Sequence, residues 1–142
     1  ALINLNKYKF LLDELKEIYA IIEDNIMNKF KKQHSLEKRR EESKRITEKY
    51  DNRIPLIVLK DTKSNLPDID RYKFLAPHDI TLGQFMYVVR KRIKIDDTET
   101  LYFFVNENVL VNTSQSMFTI YNSHKDEDGF LYLTYCSENV FG

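Results

Sequence analysis

Apolar residues return at steps of three and four along the first part of the chain, at Leu11, Leu12, Leu15, Ile18, Tyr19, Ile22 and Ile26, with charged residues between them. A helical period gathers these positions into one stripe, so the spacing predicts an amphipathic helix over residues 8–26. A second helix follows, on which Leu36, Ser43, Ile46 and Tyr50 share a face. Glu37 suits its first turn, whereas Ser35 followed three residues on by Lys38 is only half a capping signal. The turn-forming "DNR" at 51–53 ends it.

The pattern then changes. "RIPLIVLK" (53–60) is β-branched and apolar and reads as a strand. Pro55 removes a ladder donor, so this strand is expected at an edge or irregular near its start. "DTKSNLPDID" (61–70) is a turn-rich loop, and "RYKFLAP" (71–77) a short strand ended by Pro77, so the two strands form a hairpin. Thr81 N-caps a helix in "LGQFMYVVRKRIKI" (82–95), where Leu82, Phe85, Met86, Val89 and Ile93 step at helical spacing. "TLYFFVN" (100–106) and "NVLVN" (108–112) are strands. "TSQSMFTIYNSHK" (113–125) is a helix opened by Thr113 or Ser114, "DEDG" turns, and "FLYLTYC" (130–136) is the last strand.

After the helical front the order is β-β-α-β-β-α-β. That is the order of the ubiquitin-like β-grasp, an α+β fold in which one sheet packs on one helix. The last strand is expected in the middle of the sheet, where a near-continuous apolar run belongs.

Charge refines this picture more than composition does. The 142 residues have a formal net charge of zero, which does not point to nucleic acid, and no stacking-aromatic or zinc motif argues otherwise. Residues 29–53 nevertheless carry ten Lys/Arg against five Asp/Glu. No apolar run reaches the roughly eighteen residues of a transmembrane helix. "LNKYKFLLDELKE" places charges where a signal peptide needs an apolar stretch. The single cysteine, Cys136, fits a reducing, cytoplasmic setting and reads as a small packing residue. His34, His78 and His124 are far apart in sequence and lack metal-ligand spacing with Cys136. With no nucleophile elbow, P-loop or dinucleotide fingerprint, the expectation is a non-enzyme without metal or cofactor.

"HSLEKRREESKRITEKYDNRIPLIV", "KFLAPHDITLGQFMYVVRKRI" and "FLYLTYCSENVFG" together resemble the autophagy ubiquitin-like modifiers of the GABA-receptor-associated-protein type. The resemblance covers about residues 28–142. It implies attachment through Gly142 to the amine of phosphatidylethanolamine, after a cysteine protease exposes that glycine and activating and conjugating enzymes carry it as thioesters. It also implies recruitment of cargo receptors and autophagy machinery to forming autophagosomes, from a cytoplasmic pool. A bare terminal glycine would by itself suggest only a domain boundary. With the motifs present it is the residue a processed modifier exposes, and it lacks a side chain that would hinder attack.

The resemblance further implies a peptide groove. "RYKFLAP", short and carrying Arg71 and Lys73, has the marks of an exposed edge strand, which can accept an extended peptide. In the family the ligand is aromatic-x-x-aliphatic with acidic residues upstream. Carried over, the aromatic pocket involves Glu42, Ile46, Pro55, Ile57, Lys73, Leu75 and Phe130. The aliphatic pocket involves Phe74, Ala76, Pro77, Ile80, Phe85, Val88 and Val89. Arg53, Arg71, Lys73 and Arg92 meet the ligand's acids. Without the resemblance, Ile57, Leu75, Phe85 and Val89 would read as core alone. Ala76 replaces a larger residue common in the family, which predicts a roomier second pocket. Gly129 stands where a second aromatic is common.

The basic stretch around "KFKKQHSLEKRREESKR" has two readings. One is a solvated face; the other, implied by the resemblance, is a patch that meets anionic lipid or tubulin. Residues 1–26 lie outside the family pattern, as a native extension or a fusion, with residues 27–142 as the modifier domain. Their apolar stripe is expected to pack on a surface of this chain or of a second copy. A competing reading is Tyr19-Ala20-Ile21-Ile22 after Asp13, Glu14 and Glu17, the ligand grammar of the groove itself. A non-conjugated adaptor with the same groove, in trafficking or cytoskeletal binding, is the alternative function.

Overall fold

The computed structural model describes residues 8–18, 29–106 and 109–137. The chain divides into two compact units, Ala1–His34 and Ser35–Gly142.

In the first unit, residues 8–18 are helical (α1). The rest of the expected 8–26 helix, with Tyr19, Ile22 and Ile26, lies outside the described residues. Along α1 the apolar stripe is exposed, with Leu12 57% and Leu15 49% accessible. A short helix α2 (Lys29–Gln33) buries Phe30, whose ring meets His34 at 5.0 Å.

The second unit contains α3 (Leu36–Lys49), β1 (Arg53–Lys60), β2 (Lys73–Pro77), α4 (Leu82–Ile93), β3 (Tyr102–Val105), β4 (Val109–Leu110), α5 (Met117–His124) and β5 (Leu131–Cys136). The sheet order is β2-β1-β5-β3-β4, so the last strand is central and β2 lies at an edge, both as the sequence predicts. β1 pairs antiparallel with β2 and parallel with β5.

β1 is therefore an inner strand, and Pro55 is tolerated for a positional reason. The Val58 N–H donates to Tyr72 at 2.8 Å, so even-numbered β1 residues aim their N–H groups at β2 and odd-numbered ones away from it. The ladder to β5 begins only at Leu56, opposite Leu131. Pro55 thus stands one residue before the ladder starts, where its missing N–H breaks no bond to β5.

Strand alternation sorts the side chains into two faces. Ile54, Leu56 and Val58 of β1, Leu131, Leu133 and Tyr135 of β5, and Phe103 and Val105 of β3 form one core with Leu82, Phe85, Val89 and Ile93 of α4. Pro55 and Ile57 are buried on the other face.

Capping decides the helix starts. Thr81 closes a full capping box with Gln84. Ser35 accepts from the Lys38 N–H at 3.2 Å, so half the signal suffices. α4 ends at Ile93 rather than 95 because Lys94 turns left-handed at φ 58°. α5 starts at Met117, capped by Ser116, rather than at Thr113 or Ser114. Asn112 Oδ1 accepts from the Ser114 N–H at 2.9 Å, and the Gln115 N–H bonds the Asn112 carbonyl. That local turn competes successfully with an earlier helix start.

Candidate functional site

The β2 register places the expected aromatic-pocket residues together. Pro55 faces Leu75 and Ile57 faces Lys73 across the β1–β2 pair. α3 lies over this face, and Ile46, Lys73, Leu75 and Phe130 line an open cavity of about 190 Å³ with Leu56, Arg71 and Phe74. Glu42, one turn before Ile46, accepts a hydrogen bond from Lys73 Nζ at 2.8 Å, with both side chains partly exposed.

The same register fixes where the backbone points. Leu56 and Ile54 are hydrogen-bonded partners of Phe74 and Ala76, so Lys73 and Leu75 direct their main-chain groups toward the outer edge. Arg71 Nε donates to the Lys73 carbonyl there at 2.8 Å. An extended segment laid along β2 would find a ladder edge beside an apolar cavity.

The expected aliphatic-pocket residues are arranged differently. Ala76, Phe85 and Val89 belong to the buried core, and Ile80 packs against it. Phe74 meets Phe85 edge-on at 5.4 Å, with the guanidinium groups of Arg71 and Arg92 at 5.7 and 5.6 Å from its ring. Pro77 is half-buried and ends β2 opposite Arg53, and Val88 is exposed on α4. Arg92 also pairs with Asp70 at 3.3 Å. Glu42 and Asp70 thus already occupy two of the cations expected to meet acidic ligand groups; Asp70, in a turn-rich loop, escaped the sequence reading.

Sequence reasoning also missed a buried polar cluster. Asp128, 1% exposed, accepts from Arg39 at 2.7 Å, from the Tyr132 hydroxyl, and from the Phe130 N–H at 2.9 Å. Ser43 donates to the Asp128 carbonyl, and Arg40 Nε to that of Glu127 at 3.2 Å. Burial works against the Arg39 charge, but the bonds to Asp128 and Tyr132 outweigh it and raise its pKa. Burial first, then Asp128, pushes the Tyr132 hydroxyl far above its ordinary value. The sequence signal available was Asp128 three residues before β5, but its partners Arg39 and Ser43 lie 89 and 85 residues away. Burial raises the Cys136 thiol, with Asp61 adding to the shift. Among the described residues no cluster of His, Cys, Asp or Glu could hold a metal ion, and no helix is long and apolar enough to cross a membrane. Gly142 and the Tyr19–Ile22 motif lie outside the described residues.

A mixed five-stranded sheet with its last strand central, α4 across one face and helices before β1, defines a ubiquitin-like protein. The model of the family described as "Autophagy protein Atg8 ubiquitin like" matches residues 38–142. Autophagy-related protein 8d of Arabidopsis thaliana is 54% identical over 116 residues, covering 82% of this chain and 96% of that protein. Autophagy-related protein 8 of Cochliobolus heterostrophus is 52% identical over 115 residues, covering 81% and 96%. The crystal structure of Trypanosoma brucei ATG8 superposes with a TM-score of 0.75 at 38% identity, over 79% of this chain and 96% of that one. The chain belongs to the Atg8 family of autophagy ubiquitin-like modifiers.

Proposed function

We propose that this modifier is conjugated through Gly142 to phosphatidylethanolamine and that, on the autophagosome membrane, it binds aromatic-x-x-aliphatic peptides of cargo receptors and autophagy proteins along β2. In this reading it is a substrate of processing, activating and conjugating enzymes and catalyses nothing itself. The observation that carries the peptide reading is the outward-facing edge of Lys73 and Leu75 beside the cavity of Ile46 and Phe130. Strand addition uses the edge for main-chain bonds and the cavity for an alternate side chain. The conjugation reading rests on family membership and on the glycine itself. In vitro lipidation with purified conjugation enzymes and phosphatidylethanolamine liposomes tests it. Gly142→Ala is expected to lose conjugation while keeping the fold and peptide binding; normal membrane attachment by the variant would leave only a groove-bearing adaptor. The exposed basic residues Lys38, Lys44 and Arg45 of α3 would meet anionic lipid or tubulin in either case.

A further inference from the structure

We propose that the polar clasp of Arg39, Ser43 and Asp128 sets the width of the cavity between α3 and β2, and so selects the size of aromatic side chain it admits. This rests on the peptide-binding reading above. The buried residues of α3 are Arg39 and Ser43, neither of them apolar. The helix is held to the 126–129 turn by directional bonds, from Arg39 to the Asp128 carboxylate and from Ser43 to its carbonyl. Apolar side chains would slide and settle to fill space. Directional donors instead fix a distance.

The clasp grips the first half of α3, and Ile46, three residues beyond Ser43 on the same side, is left to line the cavity. Gly129 makes the grip close. Its φ is +87°, and a Cβ there would run into Ser43 Oγ and stand 3.1 Å from Ser43 Cβ. The opposite wall obeys the same group: the Phe130 N–H is held by Asp128 Oδ1 at 2.9 Å. Asp128 therefore sets both walls, Phe130 through its carboxylate and Ile46 through the bonds that its carboxylate and carbonyl accept from Arg39 and Ser43. Loosening the clasp lets Ile46 draw back from Phe130 and widens the space toward an indole.

Calorimetry with two acidic peptides identical except for Phe or Trp at the aromatic position tests this on the full chain and on Ser43→Ala, at low and high salt. The expected result is a shift of the Trp:Phe affinity ratio toward Trp by about threefold or more, with the salt dependence unchanged because the basic rim is intact. A purely structural role would lower both affinities by one factor. An equal change, an unmoved ratio or a shift toward Phe overturns the proposal. Tyr132→Phe, which removes a different donor to Asp128, carries the same expectation if Ser43→Ala fails to fold. A wild-type chain that binds neither peptide overturns the peptide-binding reading itself, a result distinct from an unmoved ratio.

Discussion

Leu75 and Lys73 are two residues apart on one strand, yet their side chains contribute differently. Leu75 presents apolar surface to the cavity, and truncation to Ala is expected to weaken an acidic aromatic-x-x-aliphatic peptide by about 1–2 kcal/mol at any salt concentration. Lys73 is partly exposed and paired with Glu42, so Lys73→Ala is expected to cost less, about 0–1 kcal/mol, and its effect should fade as salt rises. Calorimetry at two salt concentrations separates the two, and unchanged affinity for both variants would place the peptide elsewhere. Tyr135 makes a pH prediction. Burial, with Asp68 adding to it, pushes its hydroxyl up to about 12, and the hydroxyl donates to the Pro67 carbonyl at 2.7 Å. The unfolded value is about 10, so between about pH 10 and 12 the unfolded chain loses a proton that the folded one keeps. Stability is thus full below pH 10 and falls as pH rises through that window. Tyr135→Phe should flatten this alkaline loss in urea titrations; an equally steep loss would assign it to other groups.

At the scale of elements, α3 is the unusual case. Its sequence pattern names Leu36, Ser43, Ile46 and Tyr50 as one face, yet Tyr50 is exposed and the buried pair is Arg39 with Ser43. Helical spacing was legible, but which stripe turns inward was not, because Arg39 is buried only where Asp128 waits for it. The 126–129 turn depends on Gly129 for both its positive φ and the close approach of Ser43. Gly129→Ala is expected to destabilise the fold by about 1–3 kcal/mol, read as a lower urea midpoint. An unchanged midpoint would show that the turn and α3 relax apart freely. The β strands were easier to read, since "RIPLIVLK" matches β1 from end to end. β3 and β4 are shorter than their apolar runs, at Tyr102–Val105 and Val109–Leu110, because pairing partners decide where a ladder ends.

At the scale of the molecule, α1 exposes Phe10, Leu12, Leu15 and Ile18, each about half accessible or more. Apolar surface of that kind promotes association. The full chain is therefore expected to self-associate with rising concentration in sedimentation velocity, and a chain lacking residues 1–26 to do so less. If the segment also occupies the β2 groove, its removal should raise affinity for added peptide, since self-occupancy lowers the competent fraction. Identical sedimentation, affinity and stability would make the segment a passive tail.

The sequence alone determined the element order, the central last strand and the edge position of β2. These follow from hydrophobic period, turn residues and β-branching, which are local or nearly so. The family motifs named the groove residues, and the β1–β2 register brings Pro55, Ile57, Lys73 and Leu75 together. Only the tertiary structure decided the rest: that Phe74 lies between Phe85 and two arginines, that Glu42 and Asp70 hold the rim cations, and that Asp128 ties Arg39, Ser43 and Tyr132 together. Most of these contacts join residues distant in sequence. A buried charge there is stable only with all its partners in place, and no local pattern records where those partners will come from.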